Sequence, residues 1–164
     1  MKTEFKVKLN INTMYHFLMY HMYHGFGGIF SVIIGLGLIG YGIYAGNSVS
    51  NSWIYIFFGV IFLIYEPTTL YTRAAKQIKT NPVFKEAIQY EASEEGIKII
   101  QGEVFNVLPW DKIYKVMESR QCIFIYTNVR NAIILEKKQM GSSEAVIRKL
   151  IKAKVPAAKS KLKG

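Results

Sequence analysis

Three histidines and a glutamate are the residues whose type and spacing could do chemistry. His21 and His24, three apart, share a helix face and could ligate a metal or a haem iron, whereas His16, five residues before His21, falls off that face. A metal site needs more strong ligands than such a pair supplies and none stands close by, so the spacing fits polar residues at an interface better. Glu66 is the other candidate. It is the only fully charged residue between Lys8 and Arg73, and a carboxylate at membrane depth is where proton or ion coupling would be sought. The competing reading is a carboxylate near a helix end that reaches water or pairs with Arg73. Cys122 is the single cysteine, which rules out an intramolecular disulfide and fits a reducing cytoplasm. No triad, paired-carboxylate site, P-loop or metal-ligand spacing is visible. The chain is therefore not read as an enzyme, and no cofactor or metal is expected.

Two apolar stretches must position these groups. Gly25 to Ala45 is twenty-one residues without Lys, Arg, Asp or Glu, about 31 Å of helix against a hydrocarbon core of about 30 Å. The run outlasts a secretory signal core and begins only after a patterned segment of 24 residues, so it reads as a span rather than a cleaved signal. Gly46 to Ser52 is an uncharged polar turn that makes the next helix an antiparallel neighbour. The second span is expected from Trp53 to Tyr71, with Pro67 able to kink it. Gly28, Gly35 and Gly42 recur every seven residues, and Gly27, Ser31 and Gly35 every four. Such a stripe lets another backbone approach closely; the second span is the expected partner, with a homodimer through the same stripe as the competing reading. Arg73, Lys76, Lys79 and Lys85 follow the second span, and Lys2, Lys6 and Lys8 precede the first. The positive-inside rule then places both termini in the cytoplasm.

The rest reads as a small α+β domain. Phe5, Val7, Leu9 and Ile11 alternate with polar residues as a half-buried strand that should pair with later sequence. Asn12-Thr13 offers a cap for an interfacial helix from Met14 to His24, where Tyr15, Tyr20 and Tyr23 suit a headgroup belt. From Ala87 to Lys138 the period becomes two. Strands are expected over 88–92, 97–101, 104–109, 113–118, 122–127 and 132–136, as one antiparallel meander. Gly141 to Glu144 would cap a closing helix whose apolar stripe is Ala145, Val146, Leu150 and Ile151. Residues 148–163 hold seven basic side chains and no acid. That segment is either a frayed solubilising tail or one drawn to anionic lipid. Nucleic acid ranks third, because no aromatic platform or recognition helix accompanies the charge. Trp110 is expected to anchor the core rather than stack on a ligand.

Several short motifs carry a resemblance to a known family. They are the N-terminal strand, the two-helix hairpin, Gly96-Ile97 after acidic residues, the stretch from Leu108 to Val116, and Ile133-Ile134 followed by Lys137-Lys138. In these the chain resembles the YcxB-like family of small bacterial membrane proteins. Glu136 stands where that family usually has a proline, and Met14 where it often has an acid. The resemblance implies a C-terminal domain similar to a pleckstrin-homology-like barrel, and no particular activity.

The expected organisation is an N-terminal strand and interfacial helix (1–24), a transmembrane hairpin (25–71, spans 25–45 and 53–71), a cytoplasmic PH-like domain (72–155) and a basic tail (156–164). The expected location is the bacterial inner membrane, crossed twice, with the lipid bilayer as an integral partner. The expected function is a membrane-anchored binding or regulatory module that recognises a protein partner or anionic lipid. The alternative is an accessory subunit of a transporter or of an immunity-type self-protection system. Lys112, Lys115, Arg120, Arg130, Lys137 and Lys138 are the candidate contacts for an anion or partner.

Overall fold

The computed structural model describes residues 1–163; Gly164, the last residue of the expected tail, lies outside them. The chain divides into two compact units, one of Met1–Thr13 with Ile78–Gly164, the other of Met14–Gln77. The first joins the two ends of the sequence. Alternation along β1 (Thr3–Val7) puts Phe5 and Val7 on a buried face, and the strand pairs antiparallel with β2 (Ile88–Ala92), Phe5 opposite Tyr90 and Val7 opposite Ile88. β3 (Gly96–Gln101) and β4 (Val104–Pro109) extend this sheet in the order β1-β2-β3-β4.

The expected single meander is interrupted after β4. A turn of 3₁₀ helix over Trp110–Lys112 carries the chain out of the first sheet, and Ile113 N–H closes it on the Trp110 carbonyl at 3.3 Å. Trp110 makes the corner hold. Its ring is 5% exposed, and its Nε1–H donates to the Ser93 carbonyl at 2.9 Å, so a large apolar surface is buried without orphaning the indole N–H. This turn also delays the next strand, β5, to Lys115–Glu118 instead of Ile113. β6 (Cys122–Tyr126) and β7 (Ala132–Glu136) follow antiparallel.

Two short helices close the unit, α4 (Lys137–Met140) and α5 (Ser143–Lys154). The buried stripe of α5 is Ile147, Leu150 and Ile151 with Ser143; Ala145 is exposed and Val146 half-buried, so the stripe lies to one side of the expected one. Ser142 makes no side-chain cap. Ser143 instead accepts from the Thr3 hydroxyl at 2.8 Å and donates to the Glu4 carbonyl at 3.2 Å, tying the helix start to β1. The tail is not frayed. Ser160–Lys161 forms β8, parallel to β5, and completes a second sheet in the order β7-β6-β5-β8.

The other unit is helical. α1 (Ile11–Tyr23) begins three residues before the expected start, because Asn10 Oδ1 accepts the Thr13 N–H at 2.9 Å and Asn10, not Asn12, does the capping. α2 (Phe26–Ala45) and α3 (Trp53–Thr80) are both long and apolar enough to cross a membrane. Only 22% and 11% of their most apolar windows are buried, with Phe30, Ile43, Phe58 and Ile64 all more than half exposed. α3 runs on to Thr80 as one helix and stops where Asn81 Oδ1 accepts the Val83 N–H at 3.0 Å ahead of Pro82.

Candidate functional site

The most concentrated electrostatics lie inside the β unit, at a residue the sequence did not single out. Glu118 shares strand parity with buried Val116, so its side chain points inward and is 2% exposed. A buried carboxylate needs partners. Glu118 Oε1 is paired with both Lys137 and Arg148, while Oε2 accepts from Arg148 Nη1 at 3.2 Å and from the Lys163 N–H at 2.6 Å. Arg148 Nη1 also donates to the Lys163 carbonyl at 3.0 Å, and its Nε to Glu144 at 2.9 Å. Burial alone would raise the carboxyl; the hydrogen bonds from Arg148, Lys137 and the Lys163 backbone overcome it and hold the group at about 2. A carboxylate so far below neutrality exchanges no proton near pH 7. It works as a clamp on four segments: β5, α4, α5 and the C-terminal tail. Lys137 therefore belongs to this clamp and is not an open anion contact. The sequence signal was available, since a glutamate on the inward parity of a strand demands buried cations.

Register divides the other basic candidates into two groups. Cys122 pairs with Glu136, and the Lys137 N–H donates to the Gln121 carbonyl at 2.9 Å, so Arg120 and Lys138 belong to one end of the second sheet. Tyr126 pairs with both Lys115 and Ala132, which puts Lys115 and the Asn128–Asn131 turn at the opposite end. Lys112 and Arg130 are exposed there, beside Val129 and Tyr114 at 62% and 48% exposure. Lys159, absent from the sequence candidates, joins them by donating to the Ile113 carbonyl at 3.3 Å. Lys115 Nζ lies 4.6 Å from the Tyr126 ring centre and 6.0 Å from that of Tyr114, a cation–π arrangement that leaves the ammonium positioned but not neutralised. Asp111 is the acid in this neighbourhood and is exposed. The arrangement suits a surface for phosphate-bearing anions, with an apolar and an aromatic side chain among the cations.

The small residues of the hairpin serve close packing. A Cβ on Gly35 would meet the Leu63 side chain and, at 3.3 Å, the Gly59 carbonyl; one on Gly42 would meet Ile56 and the Ser52 carbonyl. Gly59 answers from α3, where a Cβ would come within 2.7 Å of the Gly35 carbonyl. Its partner role was invisible without knowing the facing register. Gly28 lies against the Met22 carbonyl and Gly27 near the Met22 methyl, both at the α1–α2 junction, and Ser31 is buried.

His24 stacks on Tyr20 with ring centres 3.8 Å apart and has Nδ1 2.9 Å from the Tyr20 carbonyl; the His21 ring lies 6.0 Å from Phe17, and His16 is half-buried. Among the described residues no three His, Cys, Asp or Glu side chains converge on a metal position. Glu66 is half-buried, and among the described residues it forms no ion pair, Arg73 included. Cys122 is buried, and burial with the nearby Glu136 charge pushes its thiol up to about 12, which leaves it inert.

Comparison with known proteins adds a family to this geometry. Residues 92–153, from the end of β2 to the last turn of α5, match the family described as "YcxB-like protein". The chain is 28% identical over 108 residues to the "Uncharacterized protein YcxB" of Bacillus subtilis (strain 168), an alignment covering 66% of this chain and 58% of that protein. The chain thus spans less than two thirds of that relative. No solved structure matches.

Proposed function

From a chain that belongs, through residues 92–153, to the YcxB-like family, we propose a membrane-anchored binding module: α2 and α3 cross a bilayer, and the β unit binds phosphate-bearing anions at the Lys112, Lys115, Arg130 and Lys159 end. The observation that carries the anchor is the exposed apolar surface of α2 and α3. Water would penalise it, and lipid removes the penalty. The turn between the helices is uncharged, while Arg73, Lys76 and Lys79 fill the last turns of α3, Lys85 follows it and Lys2, Lys6 and Lys8 precede α1, which supports two crossings with both termini in the cytoplasm of a bacterial cell.

Two sheets joined at a Trp110 corner and closed by α5 support the PH-like reading of the β unit. Anionic headgroups are the phosphate source closest to an anchored module, and each basic residue near such a surface contributes about 1 kcal/mol. A protein partner at the same surface remains the competing occupant. An accessory-subunit role loses part of its support, because Gly35 and Gly42 already face α3 within the chain.

The test uses the full chain in two formats. Extraction of bacterial membranes at alkaline pH should leave the chain in the pellet; release into the supernatant overturns the anchor. The purified chain in vesicles of phosphatidylcholine, with or without phosphatidylglycerol, is then footprinted by lysine acetylation. Protection of Lys112, Lys115 and Lys159 only with the anionic lipid supports the binding surface. Equal labelling in both overturns it.

A further inference from the structure

Strand edges attract other strands, so the fold must cover or blunt those it leaves open. It does so at β1, where Gln139 Oε1 accepts the Lys8 N–H at 2.7 Å and Gln139 Nε2 donates to the Lys8 carbonyl at 3.1 Å, just past the strand, while Lys6 and Glu4 place charge along it. β7 offers a newcomer no exposed apolar face, Ile133, Ile134 and Leu135 being buried in succession, and the other edge of that sheet is β8, only two residues long. β4 is different. It ends the first sheet, runs six residues as VFNVLP without a charge, and leaves Val104, Phe105 and Val107 at 74%, 63% and 45% exposure. In the register with β3, Val104 and Leu108 share a face with Ile97, while Phe105 and Val107 share the other with Lys98.

We propose that β4 is a dimerisation edge, pairing antiparallel with β4 of a second copy about a two-fold axis at Asn106. The strand is complementary to its own reverse. Centring on Asn106 sets Val104 opposite Leu108 on one face and Phe105 opposite Val107 on the other, so each exposed apolar side chain gains an apolar partner. Asn106 meets its own counterpart, and a side-chain amide can donate to and accept from another amide. No like charges stand opposite each other, since Glu103 falls opposite Pro109. That matters for a chain of net charge +10, whose copies repel wherever their basic surfaces meet. Charge and self-complementarity therefore favour a second copy over an acidic or basic peptide. The pairing is independent of the membrane reading and of the glycine-lined helix contact.

Cysteine cross-linking of the full chain, in native membranes and in detergent, tests the register. Buried, inert Cys122 gives little background. Residues directly opposite in an antiparallel pair have Cα atoms about 4.5–5.5 Å apart, within disulfide reach, whereas Val104 would lie about 13 Å from its own counterpart. Asn106→Cys should form a disulfide dimer on mild oxidation. Val104→Cys and Leu108→Cys should each give at least about tenfold less alone and recover the dimer when co-expressed. Adding Phe105→Glu and Val107→Glu to Asn106→Cys sets like charges opposite each other across the two-fold axis while facing Lys98 within the chain, and should abolish the dimer with the chain still folded by thermal unfolding. An Asn106→Cys chain that stays monomeric, cross-links no better than Val104→Cys, or is captured by a different protein overturns the proposal.

Discussion

The β unit and the helical hairpin use similar apolar residues and place them in opposite ways. Ile97, Ile123, Ile125 and Leu135 are fully buried in the first, while Ile29, Phe30, Ile33 and Ile43 of the second are between 51% and 67% exposed. The adhesives differ accordingly. The β unit excludes water from a side-chain core and fastens its closing elements through a buried carboxylate. The hairpin has little side-chain core, and its helices approach through glycine, backbone close to backbone at Gly35 and Gly59. One chain thus carries two solutions to packing, one suited to water and the other to an apolar surrounding.

The largest expected effect breaks the clamp. Glu118→Ala leaves Lys137 and Arg148 without their buried acceptor and should destabilise the β unit by about 3–5 kcal/mol. Trp110 fluorescence during urea unfolding, in a Trp53→Phe background, reads this unit without the hairpin. The same residue sets an acid limit. The carboxyl titrates at about 2 in the fold, against an ordinary value of about 4.3. Its folded value is depressed, so its stabilisation is present above the ordinary value and is lost as pH falls from about 5 toward 2. Glu118→Gln should flatten that portion of the stability-against-pH curve.

A substitution on the other side of the comparison should spare the β unit. Gly59→Leu forces a side chain against the Gly35 carbonyl and Ile39 and should cost the helix pair about 1–3 kcal/mol. Far-UV circular dichroism in detergent should show helix melting earlier, with the Trp110 transition unmoved; a shift in both would mean that the two units unfold as one. The smallest effect concerns the basic end. Lys115→Glu should weaken binding to phosphatidylglycerol vesicles by about 2 kcal/mol, one cation lost and one anion gained, leaving both unfolding transitions in place. Arg120→Glu, at the far end of β6, should change binding less.

Particular residues show what pattern alone conveys. The alternation from Phe5 to Ile11 announced a strand in need of a partner; β2 supplies it as far as Val7, while Ile11 already opens α1. The change to period two after Ala87 gave β2, β3, β4, β6 and β7 to within a residue or two. The span expected to end at Tyr71 is part of a helix that continues to Thr80 and ends where Asn81 precedes Pro82, because the residue before a proline avoids helical geometry. The α5 stripe was displaced because Ala145 and Val146 look as apolar as Ile147, and only the sheet beneath decides which face turns inward. Glu118 was overlooked for a related reason: its cations come from residues 19 and 30 positions away.

By itself the sequence determined the local quantities. A charge-free run of sufficient length dictates a long apolar helix, period-two alternation dictates strands, and glycine, proline and asparagine dictate where they stop. Tertiary structure alone decided the split into two sheets at Trp110, the capture of the basic tail as β8, and the division of the cations between two ends of one sheet. The physical reason is range. Helix and strand periodicity are written between near neighbours, whereas ion pairs, sheet edges and glycine contacts depend on which distant surfaces meet, and that is fixed by packing the whole chain.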